Sequence, residues 1–236
     1  MPETMRARAI IPDEMHVFFL LDHSGSMTGP RIQTLNEAME TLIPTMVSAA
    51  RSRDVTLFFH ALCFNTYVRW LCGSTAEKGV KMDDFQWHEI DAGGMTCTPD
   101  AIRAVLPGLS RRILGTRTFC PIVILMTDGE SCSFQDTMAA IDEMNQMQKV
   151  TRIAIGVQDY NPKELDAFAS LGRVIRLDAF GEPIGEPVEQ KLVFPVTDAG
   201  QIAGVIRAAS LSSLVDTLDH PHEDTITVTV PSSEWL

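Results

Sequence analysis

Short runs of β-branched and aromatic residues alternate along this chain with longer stretches of helical period, the pattern of a parallel sheet covered by helices. The first run, His16 to Leu21, is almost entirely apolar, as a strand buried on both faces should be. After a loop containing Gly25, Gly29 and Pro30, apolar residues recur at Ile32, Leu35, Met39, Leu42, Ile43, Met46 and Val47, which predicts one helix face starting at Pro30. Val55 to Phe64 and Tyr67 to Leu71 flank the turn residues Asn65 and Thr66 and predict an antiparallel hairpin at one sheet edge. The polar stretch from Cys72 to Asp91 is assigned a short helix near Ala76 to Met82, with Trp87 packed on the core. Thr98 as cap, Pro99 and Asp100 in the first turn, and Ile102, Val105, Leu106, Leu109 and Ile113 at helical spacing predict the next helix.

Pro121 to Thr127 is the most strand-like segment and belongs at the sheet centre. A helix from about Phe134 to Gln148, a strand Arg152 to Val157, a short helix around Pro162 to Ser170 and a strand Arg173 to Leu177 follow. A Gly/Pro-rich connection, Gly181 to Pro187, leads to a last helix from about Asp198 to Leu214, and Ile226 to Val230 reads as an edge strand or an extended tail. The fold class expected is therefore α/β: a doubly wound, mostly parallel central sheet with one antiparallel edge strand and helices on both faces.

Composition narrows the function classes. At 236 residues with 45% hydrophobic and 21% charged residues, the chain suits one globular domain with a sizeable core. A net charge of -12 argues against a nucleic-acid partner or an anionic membrane, since both reward a basic patch. The apolar run Val17 to Leu21 is too short for a signal-peptide core or a membrane span. Five cysteines, odd in number and without a C-x-x-C pair, suggest neither a disulfide framework nor a structural zinc site, so a reducing cytoplasm is the expected location.

The chemistry is concentrated in Phe18-Phe19-Leu20-Leu21-Asp22-His23-Ser24-Gly25-Ser26, a buried strand ending in Asp-x-Ser-Gly-Ser. In an open parallel sheet, functional groups gather beyond the carboxyl ends of the strands, where this acid and its two hydroxyls fall. Hard oxygen donors favour magnesium, manganese or calcium. By the same logic the strand Ile122 to Thr127 delivers Asp128, and the loop Gly93-Gly94-Met95-Thr96-Cys97-Thr98 supplies Thr96, because Thr98 is better used as a helix cap. Asp22, Ser24, Ser26, Thr96 and Asp128 are thus the expected metal ligands.

In order and approximate spacing these five residues resemble the metal-ion-dependent adhesion site (MIDAS) of von Willebrand factor A (VWA) domains. The resemblance covers roughly residues 15 to 215 and divides the chain into an N-terminal extension, 1–15, a VWA domain, 16–215, and a tail or edge strand, 216–236. The strand Ile153 to Val157 followed by Asp159 looks like the closing half of such a domain. The helix Ile206 to Ser213 is similar to bacterial VWA proteins of the TerY type, associated with tellurite-resistance and stress gene clusters. The resemblance implies a binding module whose cation, Mg2+ with Mn2+ or Ca2+ as alternatives, is completed by an Asp or Glu of a protein partner, for instance a kinase or phosphatase of the same gene cluster. Two carboxylates and three hydroxyls do leave a magnesium ion short of ligands, and its charge dominates locally over a Debye length of roughly 8 Å.

No catalytic residue is assigned and the protein is expected not to be an enzyme. The competing reading, a magnesium-dependent phosphohydrolase or phosphotransferase using Asp22 or Asp128, is disfavoured by the lack of a P-loop, of a D-x-D pair and of a lysine near these loops. His23 is expected to face solvent, and Cys97 and Cys132, on two loops framing the site, to be ordinary thiols. His220, His222, Glu223 and Asp224 are expected to be a solvated run rather than a second metal site, and Glu130 faces either the ion, a partner or solvent.

Overall fold

A computed structural model describes residues 13–73, 79–147, 149–158, 160–178 and 180–232. In chain order its elements are β1 (Glu14–Asp22), α1 (Pro30–Arg51), β2 (Thr56–Phe64), β3 (Val68–Cys72), β4 (Val80–Lys81), α2 (Thr98–Val105), α3 (Arg111–Leu114), β5 (Ile122–Thr127), α4 (Phe134–Asn145), β6 (Thr151–Val157), α5 (Pro162–Phe168), β7 (Leu171–Leu177), β8 (Val188–Lys191), β9 (Val193–Val196), α6 (Ala199–Asp219) and β10 (Thr227–Pro231). The central sheet has the order β3-β2-β1-β5-β6-β9, with β4 also on β2. The strands from β2 to β9 are parallel neighbours, while β3 and β4 run antiparallel to β2. This is the expected mostly parallel sheet with an antiparallel edge.

The absence of polar alternation in β1 and β5 has a simple cause. Val17, Phe19 and Leu21 point into one apolar cluster with α1 and α6, and Phe18 and Leu20 into a second with α2, α4 and α5. Ile122, Ile124 and Met126 of β5 join the first cluster, and Val123 and Leu125 the second. Both faces are covered, so both side-chain sets must be apolar. Trp87 packs against the first cluster, as expected, and donates its indole N–H to Asn36 Oδ1 at 3.3 Å.

One buried polar pair interrupts this interior. His16 Nδ1 and His60 Nε2 are 3.0 Å apart, and His60 Nδ1 lies 3.0 Å from the Gly73 carbonyl. A carbonyl only accepts, so His60 carries its proton on Nδ1 and accepts at Nε2 from His16. Burial pushes the His60 imidazole down to about 4, partly offset by the bond to Gly73.

Three expectations are corrected. The strand expected at Arg173 to Leu177 exists as β7 but leaves the central sheet, forming a separate three-stranded sheet of order β10-β7-β8, parallel to β10 and antiparallel to β8. β9, with Pro195 tolerated at an edge, takes the place beside β6. β8 and β9 lie in a stretch to which no structure had been assigned. Thr98 is the first residue of α2 rather than its cap; Cys97 precedes the helix with no side-chain cap bond, and the Thr98 hydroxyl is buried without a partner.

The expected extension 1–15 falls largely outside the described residues, as do Asp159 and positions 76–78 of the helix expected near Ala76 to Met82; the rest of that helix is corrected, since from Val80 onward the chain forms β4 and a 3-10 turn. The run Ile226 to Val230 lies mostly in β10, at an edge of the small sheet, and α6 ends five residues later than expected, at Asp219. Among the described residues no helix is long and apolar enough to cross a membrane.

Candidate metal centre

The chain proceeds from β1 to β2 on one side and returns to β5 on the other, so the carboxyl ends of β1 and β5 face a crevice where the strand order reverses. Asp22, the last residue of β1, is fully buried there. Its Oδ1 accepts from the Ser24 amide at 2.8 Å and its Oδ2 from the Thr127 hydroxyl, at the end of β5, at 2.6 Å. Those partners are neutral. Burial pushes the Asp22 carboxyl up, against the lowering effect of the Thr127 and Ser24 hydrogen bonds, and nearby Asp128 adds to the rise.

Beyond Asp22 the hydroxyls close into a chain. Ser26 Oγ donates to Asp128 Oδ1 at 2.6 Å, which leaves Ser24 Oγ to donate to Ser26 Oγ at 3.0 Å. Thr96 flanks this chain: a Cβ built on Gly129 would lie 3.4 Å from Thr96 Oγ1 and 3.9 Å from Ser26 Oγ. Those are ordinary contact distances, so Gly129 lies directly beside both hydroxyls. All five residues expected to bind metal are therefore brought to one end of the sheet.

The supporting frame was not legible as such. The Gly25 amide donates to the Gly94 carbonyl at 2.9 Å and the Gly93 amide to the His23 carbonyl at 2.8 Å, zipping the two site loops together. Asn65 and Thr66, which read only as a hairpin turn, hold the glycine loop: Asn65 Nδ2 donates to the Gly93 carbonyl at 2.6 Å, and Thr66 Oγ1 accepts from the Met95 amide at 3.0 Å. Gly94, at φ +86°, passes so close that a Cβ would meet Thr66 Oγ1 at 2.9 Å. The Cys132 amide donates to the Thr96 carbonyl at 2.7 Å and fixes the loop after β5.

The residue the sequence reading missed is Arg31. One guanidinium nitrogen donates to Asp128 Oδ2 at 2.6 Å and to the Ser26 carbonyl at 2.8 Å, and another to the Gln158 side-chain oxygen at the end of β6. The signal available was a cation in the first turn of a helix, where the macrodipole disfavours it.

Other expectations resolve as follows. His23 does not face solvent: it is 9% exposed, with Nδ1 2.8 Å from the Asp91 carbonyl, because the paired loops cover it. The five cysteines are free; burial, and next the neighbouring Cys132, push the Cys97 thiol up to about 11. Glu130 is exposed near Glu164, whose buried carboxyl is pushed up by burial and by that neighbour. The C-terminal acidic run is dispersed among separate partners, Asp216 for His220, Arg173 for Glu223 and Lys149 for Asp224. Among the described residues no three His, Cys, Asp or Glu side chains cluster as a metal site; the five residues around Asp22 include only two such side chains, the others being hydroxyls.

Two carboxylates and three hydroxyls, with one acid desolvated among neutral partners, fit a hard divalent cation. A doubly wound sheet carrying such a donor set at its switch point defines a class of α/β domains with a cation site at the strand ends. The family model for the von Willebrand factor type A domain matches residues 16–190, and the chain belongs to that family. No curated protein matches the chain in sequence.

Among solved structures, a von Willebrand factor type A protein from Catenulispora acidiphila superposes with a TM-score of 0.60 at 17% identity, covering 87% of this chain and 43% of that one. Proximal thread matrix protein 1 from the mussel byssus does so with a TM-score of 0.58 at 18% identity, covering 86% of this chain and 48% of its own. A second structure of the mussel protein, described as having a zinc-occupied MIDAS motif, gives a TM-score of 0.51 at 15% identity, covering 83% and 44%. The chain thus spans less than half the length of these proteins, and the likeness shows the fold.

Proposed function

We propose that this chain is a metal-dependent protein-interaction module in which Asp22, Ser24, Ser26, Thr96 and Asp128 hold a divalent cation, magnesium in the first instance with manganese or calcium as alternatives. A bound dication would offer its remaining coordination to an Asp or Glu of a protein partner. The observation that carries the reading is the continuous chain from Asp128 through Ser26 to Ser24, with Asp22 oriented by the Ser24 amide. The residues' own work is positional. Thr127 and the Ser24 amide aim the Asp22 carboxylate, and the zipped loops hold the hydroxyls, with Gly129 beside Thr96 and Ser26.

The module is non-catalytic in this reading: His23, the only imidazole in the motif, has Nδ1 engaged by the Asp91 carbonyl rather than turned to a substrate. The finer placement, a TerY-type protein of a bacterial tellurite-resistance or stress complex, cytoplasmic, with a kinase or phosphatase as partner, rests on the resemblance of the helix Ile206 to Ser213.

Calorimetric titration of magnesium tests the site. Asp22→Ala and Asp128→Ala are each expected to abolish binding in a chain that still folds, and undiminished affinity in either removes that residue from the centre. Capture of a partner in magnesium but not in chelator is expected. Turnover of a phosphoester or nucleotide that disappears in Asp22→Ala would replace the module with an enzyme.

A further inference from the structure

Arg31 occupies an unusual place. It is the second residue of α1, where a positive charge opposes the helix dipole, yet its guanidinium is spent inside the site on Asp128, whose side chain is fully buried, and on the Ser26 carbonyl. Gln158, which receives the other edge of the guanidinium, has a left-handed backbone at φ +51°, uncommon outside glycine. Its amide donates to the Val196 carbonyl at 2.8 Å, so β9 holds that conformation in place. Two costs, a cation at a helix start and a left-handed glutamine, are borne to keep one positive charge on one acid.

That acid has two oxygens and both are used: Oδ1 by the Ser26 hydroxyl and Oδ2 by Arg31. A divalent cation drawn to Asp128 would share the carboxylate with a resident cation. Even at a dielectric close to that of water, a dication and a guanidinium on one carboxylate repel enough to weaken cation affinity by about tenfold.

We propose that Arg31 is an affinity-setting residue of this centre: an internal competitor, latched by Gln158, that neutralises Asp128 while no metal is present and must share or yield it when metal enters. The inference rests on the cation site proposed above. Without metal, Arg31 keeps Asp128 from being an uncompensated buried charge; with metal, it lowers affinity, so that only a sufficient cation concentration fills the site.

Calorimetric titration of magnesium and of manganese into wild type, Arg31→Gln, Arg31→Lys and Gln158→Gly tests this, with thermal melts of the metal-free proteins alongside. Arg31→Gln is expected to bind metal about tenfold more tightly and to melt lower without metal, because Asp128 loses its counter-charge. Arg31→Lys keeps the charge and stays within threefold of wild type. Gln158→Gly, which suits the left-handed backbone and releases the latch, binds more tightly than wild type. Affinity unchanged or weakened in Arg31→Gln overturns the proposal while leaving the site standing. Should Arg31→Gln fail to fold, Gln158→Gly decides, and affinity no higher than wild type overturns it. If wild type takes no metal but Arg31→Gln does, competition is established in its strongest form; if neither does, the five-oxygen site itself falls and the competitor with it.

Discussion

His60 and Asp22 are both titratable and both buried, and the structure treats them oppositely. Asp22 sits where a cation would relieve its burial, whereas His60 is in the middle of β2, stacked on its β1 neighbour Phe18 with ring centroids 4.0 Å apart. The folded imidazole titrates at about 4 against 6.5 in a free chain, so between those values the unfolded state binds more protons. Stability contributed by this group is complete above pH 6.5 and is lost as pH falls towards 4, by roughly 3 kcal/mol in total. Urea unfolding at pH 7, 5 and 4 should show that decline, and His60→Leu should flatten it while lowering stability at pH 7, since His16 and the Gly73 carbonyl lose their partner. At this scale the acids and hydroxyls of the site were legible because their type and their place at strand ends suffice. Arg31 and Gln158 were not, since an arginine in a first helical turn and a glutamine after a strand carry no mark of the contacts Arg31 makes with Asp128 and Gln158, 97 and 127 positions away.

Elements are held together by contacts of very unequal worth. Arg53, just after α1, grips Asp219 at the end of α6 through two bonds of 2.6 and 2.8 Å, but both side chains are substantially exposed. A double-mutant cycle on this pair should return about 0.2–1 kcal/mol despite its good geometry. Gly156 in β6 is the contrasting case: a Cβ there would fall 2.5 Å from the Tyr160 ring, which packs against the second core cluster. Gly156→Ala is expected to cost about 1–3 kcal/mol in denaturant titration, through displaced packing rather than altered hydrogen bonding. Long elements with unbroken patterns, β1, α1 and β5, were predicted nearly to their ends. β8 and β9 escaped because four-residue strands that include Gln190 or Pro195 carry too few positions for any period to show.

Over the whole molecule the C-terminal segment is structural. Val228 and Val230 of β10 are buried against the main core, and the Thr227 amide is held by Asp216 of α6 at 2.7 Å. Ending the chain at Asp219 removes both valines from that core at about 1.5–3 kcal/mol each. The thermal midpoint should fall by roughly 10 °C, which a circular dichroism melt would register. A melt unchanged by the truncation would show β10 to be an ornament on the small sheet.

The sequence by itself determined the class of sheet, the helices that cover it and the five side chains gathered at the proposed cation centre. Burial on both faces demands unbroken apolar runs, and a hard cation demands oxygen donors in a fixed order, so both leave marks readable along one dimension. Only the tertiary structure decided that β7 leaves the main sheet, that Asn65 and Thr66 brace the glycine loop, and that Arg31 already sits on Asp128. Those outcomes depend on which distant backbones meet, and no local period or spacing records such meetings.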